Sequence, residues 1–129
     1  MTITPITIPS NMGNAVSEID ANFTEVGGGY NLKGYREITE ATSALLVTDK
    51  ILHITYTLTG AVTNFELPTA QALAGRIITI KDGGNNAGTN SITITTEGSE
   101  LIEFGATAII NSDGSAIDLY SDGTDWFIK

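Results

Sequence analysis

The sequence predicts an all-β protein: an antiparallel β-sandwich or β-prism over residues 35–129, preceded by a short helical segment. Three observations carry that prediction. From Tyr35 onward apolar residues recur at every second position, in runs rich in Ile and Thr. Gly-containing turn pairs separate these runs at Asp82-Gly83-Gly84, Glu97-Gly98, Asp113-Gly114 and Asp122-Gly123. Many short strands with turn signals every eight to twelve residues are the pattern of a sandwich or small barrel.

The elements follow in order. Residues 1–10 alternate Thr and Ile around Pro5 and Pro9, which suits an edge-like or unpaired extended segment because proline donates no ladder hydrogen bond. Over residues 11–26 the period changes. Met12, Val16, Ile19, Phe23 and Val26 are spaced 4, 3, 4 and 3 apart, the rhythm of a heptad seam. Ser10 or Asn11 can cap that helix, and Gly27-Gly28-Gly29 ends it. Two heptads are short for a free helix, since isolated helices below about 12–15 residues are marginal in water. The seam therefore packs either on copies of itself or on its own domain. In the run Ile51–Leu58, Leu52, Ile54, Tyr56 and Leu58 share one face, with His53, Thr55 and Thr57 on the other. Strands follow at Arg76–Ile80, Ser91–Thr95, Leu101–Phe104, Ala106–Asn111, Ala116–Tyr120 and Asp125–Lys129. Leu67–Gly75, with Pro68 and a terminal Gly75, reads as a single helical turn or wide loop.

Composition excludes several classes of function. Fifteen acids against six bases give a net charge of −9, which disfavours nucleic acid and anionic membrane surfaces. The absence of cysteine removes disulfides, thiolate nucleophiles and Cys-based zinc sites, and one histidine removes any site needing two imidazoles. The amino terminus has neither a basic region nor a continuous apolar stretch of the secretory kind, and no run of 18 apolar residues spans a bilayer. Synthesis in a cytoplasm is expected. Charged residues make up 16% of the chain, against about 25% in ordinary soluble domains, which points to subunit contacts.

The chemical inventory is thin. No G-x-S-x-G elbow or Walker loop is present, and His53 on a polar strand face reads as an exposed or hydrogen-bonded residue. Asp113, Asp118, Asp122 and Asp125 lack the spacing of a calcium loop and read as turn formers. Glu97, Glu100 and Glu103 read as solvated loop edge rather than a hydrolytic carboxylate pair. No catalytic residue, cofactor or metal ligand is expected, and the chain is read as a non-enzyme. The Asn/Asp-rich loops, with Asn85, Asn86, Asp113, Asp122 and Asp125, are the candidates for ligand contact. Tyr30, Tyr35, Tyr56 and Tyr120 are candidates for stacking on sugar rings; Trp126 reads as core or subunit contact.

The order of motifs across residues 37–129 resembles a bacteriophage fibre module. Leu67-Pro-Thr-Ala70, Gly75-Arg76, Ile80-Lys-Asp82, Asn90-Ser-Ile-Thr-Ile94 and Ser121-Asp-Gly-Thr-Asp-Trp126 carry the resemblance, together with Leu46-Val-Thr-Asp49. Glu100-Leu-Ile-Glu-Phe-Gly105 departs from it, because similar modules carry an Ile-Asp-Gly turn there. Glu18-Ile-Asp-Ala-Asn-Phe-Thr-Glu-Val26 is similar to a segment found near the start of phage fibre and virion proteins. The resemblance implies a homotrimeric structural protein of the virion. Residues 1–34 would form the attachment segment and stem, with Met12, Val16, Ile19, Phe23 and Val26 around the axis and residues 1–30 meeting other virion proteins. Residues 35–129 would form the outward β-head. A short head fibre or capsid decoration is expected over a tail component. The alternative is a tip module that binds a host glycan or receptor.

Overall fold

The computed structural model describes residues 33–129, so the heptad seam from Met12 to Val26 lies outside the described residues. Nine strands form two sheets facing each other across one core. They are β1 Tyr35–Ile38, β2 Thr42–Ala44, β3 Ile51–Ile54, β4 Val62–Leu67, β5 Ile77–Asp82, β6 Ile92–Thr96, β7 Thr107–Ile110, β8 Ala116–Ser121 and β9 Trp126–Ile128. The first sheet has the order β1-β3-β5-β8-β9 and the second β2-β4-β6-β7. The all-β, two-sheet expectation holds.

The expectation of an antiparallel sandwich does not hold for the first six strands. β1, β3 and β5 pair in parallel, as do β2, β4 and β6. Among these six, consecutive strands do not pair; the chain alternates between sheets, rising in the first and descending in the second, so that three coils stack. Antiparallel pairing enters only with β7 on β6, β8 on β5 and β9 on β8. The physical reason lies in the connections. Each of β1 to β5 is followed by a loop that crosses to the other sheet, and successive same-sheet strands among the first six then arrive in the same direction. The described fold is therefore a short coil of parallel rungs closed on one side by antiparallel strands.

Inward positions along these strands build the core. Leu52 and Ile54, Phe65 and Leu67, Ile78 and Ile80, Ile92 and Ile94, with Ile38, Val62, Leu119 and Trp126, are all buried. Their two-residue spacing is the pleat alternation seen in the sequence. Two segments depart from expectation. The run at 51–58 stops being a strand at Ile54; Tyr56–Leu58 is a 3-10 turn that buries Thr57 and exposes Leu58. Leu101–Phe104 forms only a bridge at Ile102, not a strand. The single turn expected after Pro68 is present as a 3-10 turn, Thr69–Gln71.

Loops gather at two ends. The upper end, where β3 and β5 finish, collects residues 55–61, 83–91 and 111–115. The lower end collects residues 45–50, 68–76, 97–106 and 122–125.

Candidate functional site

The upper end is organised by one carboxylate. Asp82, 1% exposed, ends β5 beneath the loop it begins. Its Oδ1 accepts the Thr57 hydroxyl at 2.7 Å, and its Oδ2 accepts the N–H groups of Asn86, Ala87 and Gly114 at 2.8, 2.8 and 2.9 Å. Burial alone raises a carboxyl pKa; here the donated hydrogen bonds from Thr57, Gly114, Ala87 and Asn86 outweigh it and hold Asp82 below its ordinary value. The side-chain amides of Asn86 and Asn90 both donate to the Thr57 carbonyl, at 2.9 and 2.7 Å. Three loops distant in sequence are thus fastened to one anion.

Gly84 shows how tightly. A Cβ there would lie 2.3 Å from the Thr57 hydroxyl oxygen. Gly84→Ala is expected to destabilise the fold by about 1–3 kcal/mol by forcing that hydroxyl off Asp82, read as a lowered urea midpoint at unchanged slope.

The residues singled out as ligand contacts separate into two groups. Asn85, Asn86 and Asp113 stand at the upper end. Asn85 is exposed with φ at 56°, and Asp113 Oδ1 accepts the Gly88 N–H at 2.7 Å. Asp122 and Asp125 stand at the lower end in the β8–β9 hairpin. Asp122 Oδ1 accepts the N–H groups of Thr124 and Asp125, which lower its pKa, and Asp125 Oδ1 accepts the Leu101 N–H at 2.9 Å. Asn86, Asp113, Asp122 and Asp125 thus each use side-chain atoms to hold loops. The five residues do not form one site. Among the described residues, no three His, Asp or Glu side chains converge as a metal site would require.

The lower end carries a cleft of about 700 Å³ between loops 47–50 and 73–76, lined also by Ile51, Ile77 and Thr79. Two arginines build its frame. Arg36 grips Asp49 with Nε to Oδ1 at 3.0 Å and Nη2 to Oδ2 at 2.7 Å. Arg76 Nη2 donates to the carbonyls of Leu46 and Asp49 at 2.7 and 2.8 Å, while Nη1 bonds Gln71. Burial pulls the Arg76 guanidinium below the ordinary arginine value, partly opposed by the Asp49 charge. Both guanidinium groups are committed to the frame, which leaves exposed Lys50 as the cation at the cleft's rim.

The outer face of the first sheet was not legible as a surface in the sequence. Tyr35 stands beside Ile51, and Ile77, Tyr120 and Phe127 form one transverse row. Tyr120 stacks on Phe127 at 5.5 Å, and Phe104 meets Phe127 edge-on at 5.6 Å. Tyr35, Ile51, Ile77, Tyr120 and Phe104 are all exposed. The one sequence signal was that both alternate positions of β5, Ile77 and Ile78, are apolar. The outer face of the second sheet contrasts with it: Thr42, Asn64, Thr93, Thr95 and Thr107 dominate there, with Ile109. Trp126, in contrast, is fully buried in the core, the first of its two expected roles. No protein-family model matches the chain, and no curated protein is significantly similar to it.

Proposed function

We propose that the chain is a self-assembling structural subunit of a bacteriophage virion, a short trimeric fibre whose residues 1–30 attach it and whose β-head is displayed outward. The observation that carries the reading is the exposed band Tyr35, Ile51, Ile77, Tyr120 and Phe104 on one sheet face. A chain with so little charge leaves that band wet as a monomer, and burying it against copies is favourable in proportion to the apolar area removed from water. The motif order over residues 37–129 supplies the fibre context. The glycan-binding alternative draws less support, because Asn86, Asp113, Asp122 and Asp125 already use side-chain atoms to tie their own loops.

Light scattering coupled to size exclusion tests the assembly. The expected mass is three times the 13.6 kDa of the chain. A monodisperse monomer at micromolar concentration would end the proposal. Mass spectrometry of purified particles from the source phage or prophage tests the location; a particle lacking the chain removes the virion role.

A further inference from the structure

We infer that Phe104 is a knob that seats in the lower-end cleft of a second copy, so that the heads join edge-to-face in a closed ring. The inference rests on the self-assembly reading above and specifies its contact.

The knob is an unusual turn. Ile102 and Gly105 exchange both backbone hydrogen bonds, Ile102 N–H to Gly105 O at 2.7 Å and Gly105 N–H to Ile102 O at 2.9 Å. The two residues between them, Glu103 and Phe104, have φ of 49° and 68°. A two-residue hairpin with positive φ at both central positions favours Asn-Gly or Asp-Gly, because other side chains are strained there. Glu-Phe breaks that rule, and the strain serves to push out a phenyl ring that is 78% exposed. The ring is also held in place. Phe127 meets it edge-on, Tyr120 backs Phe127, and the Glu103 carboxylate accepts the Ile128 N–H at 2.7 Å. A rigid, exposed aromatic is what an interface anchor requires, since little side-chain freedom remains to be lost on docking.

The cleft supplies the matching hole. Val47, Leu73, Ile51 and Ile77 give it apolar walls, all of them exposed. Its volume of about 700 Å³ admits a phenyl ring with its flanking backbone. Charge agrees as well: exposed Lys50 stands at the rim, and exposed Glu103 flanks the knob. Acids outnumber bases twelve to six among the described residues, so a contact that sets Lys50 against Glu103 offsets part of the like-charge repulsion between copies.

Position constrains the symmetry. Ile77 in the cleft faces Tyr120, Tyr120 faces Phe127, and Phe104 lies against Phe127. Knob and hole therefore occupy one row perpendicular to the strands. A contact between two different patches is heterologous; alignment in one row removes a displacement along the strands, and the ring requires in addition that the rotation between copies closes.

The absence of native cysteine makes the test direct. Full-length chain carrying both Ala106→Cys and Val47→Cys, two exposed positions that leave Phe104 in place, is oxidised and run on a non-reducing gel. The expected result is a ladder of covalent dimer and closed trimer, whereas Ala106→Cys alone gives no covalent dimer. Adding Lys50→Glu is expected to slow crosslinking about two- to five-fold, and adding Phe104→Ala to the Cys pair to slow it further. Crosslinking by Ala106→Cys alone, crosslinking unchanged by Phe104→Ala, or single-chain bands only from the double variant, would overturn the inference. If the parent is trimeric by light scattering while the double variant stays uncrosslinked, self-assembly survives and this contact falls. A monomeric parent removes both.

Discussion

Asp82→Ala is expected to destabilise the β-head by about 3–5 kcal/mol, the range for removing one partner from a buried charged network. The carboxylate is the common acceptor for Thr57, Asn86, Ala87 and Gly114, so truncation leaves three N–H donors and a hydroxyl without their acceptor at a buried position. Each such orphan costs about 1–3 kcal/mol, discounted where water reaches it from the exposed neighbours Asn85 and Gly88. Asp82→Asn keeps the shape and one acceptor oxygen but aims an NH2 at donors, so it is expected to recover only part of the loss. Urea unfolding of the parent and both variants measures the series. The same network sets a pH dependence. The folded pKa of Asp82 is lowered, so its contribution is complete above the unfolded carboxyl value and disappears as pH falls through the folded one. Stability should therefore fall below about pH 4, and the Asp82→Asn variant should show a shallower fall in that window. Equal acid slopes in parent and variant would show that Asp82 does not carry the acid sensitivity.

How much of this was legible in the sequence depends on the element. The two-residue apolar alternation marked β3, β5, β6 and β8 because each has one face on the core. β4 was not marked. Its buried residues Val62, Phe65 and Leu67 are spaced by three and then two, and the register with β6 shifts between Val62 and Phe65. An irregularity of that kind inserts a residue and erases the period on which the reading depends. β2, Thr42-Ser-Ala44, has no large side chain to mark it. Strand direction was illegible for a different reason. Parallel and antiparallel rungs share the same two-residue pattern, and direction follows from which sheet each loop crosses to. A constant repeat would have revealed the coils, but the spacing grows: Tyr35 pairs with Ile51 and Ile51 with Thr79. Asp82-Gly83-Gly84 was correctly seen as a turn, yet nothing local showed that its aspartate gathers two further loops. Phe104 was obscured by its own unsuitability, since Glu-Phe is not the residue pair that a tight turn selects.

Trp126→Ala is expected to cost about 3–5 kcal/mol, as for a fully buried aromatic whose site refills incompletely. The residue is a junction as well as a core filler. In β9 it pairs with Ser121 of β8, its N–H donates to Leu101 O at 2.8 Å, and its carbonyl accepts the Glu103 N–H at 2.9 Å. Those two bonds fasten the 101–105 arm, which leads into the second sheet at β7, to the edge of the first. Both bonds are main-chain and survive loss of the indole, so the cost of Trp126→Ala falls on the core packing. Trp126→Phe separates packing from polarity. The indole Nε1 is buried with no partner among the described residues, so replacing it by phenyl removes an unmatched donor while leaving a smaller cavity. The two effects oppose, and Trp126→Phe is expected to lie within about 1.5 kcal/mol of the parent. Chemical denaturation followed by far-UV circular dichroism reads both variants, and intrinsic fluorescence follows the parent, whose single tryptophan this is. If the two variants lost equal stability, the indole's packing would matter less than its orphaned N–H, and Trp126 would not be the staple between the sheets.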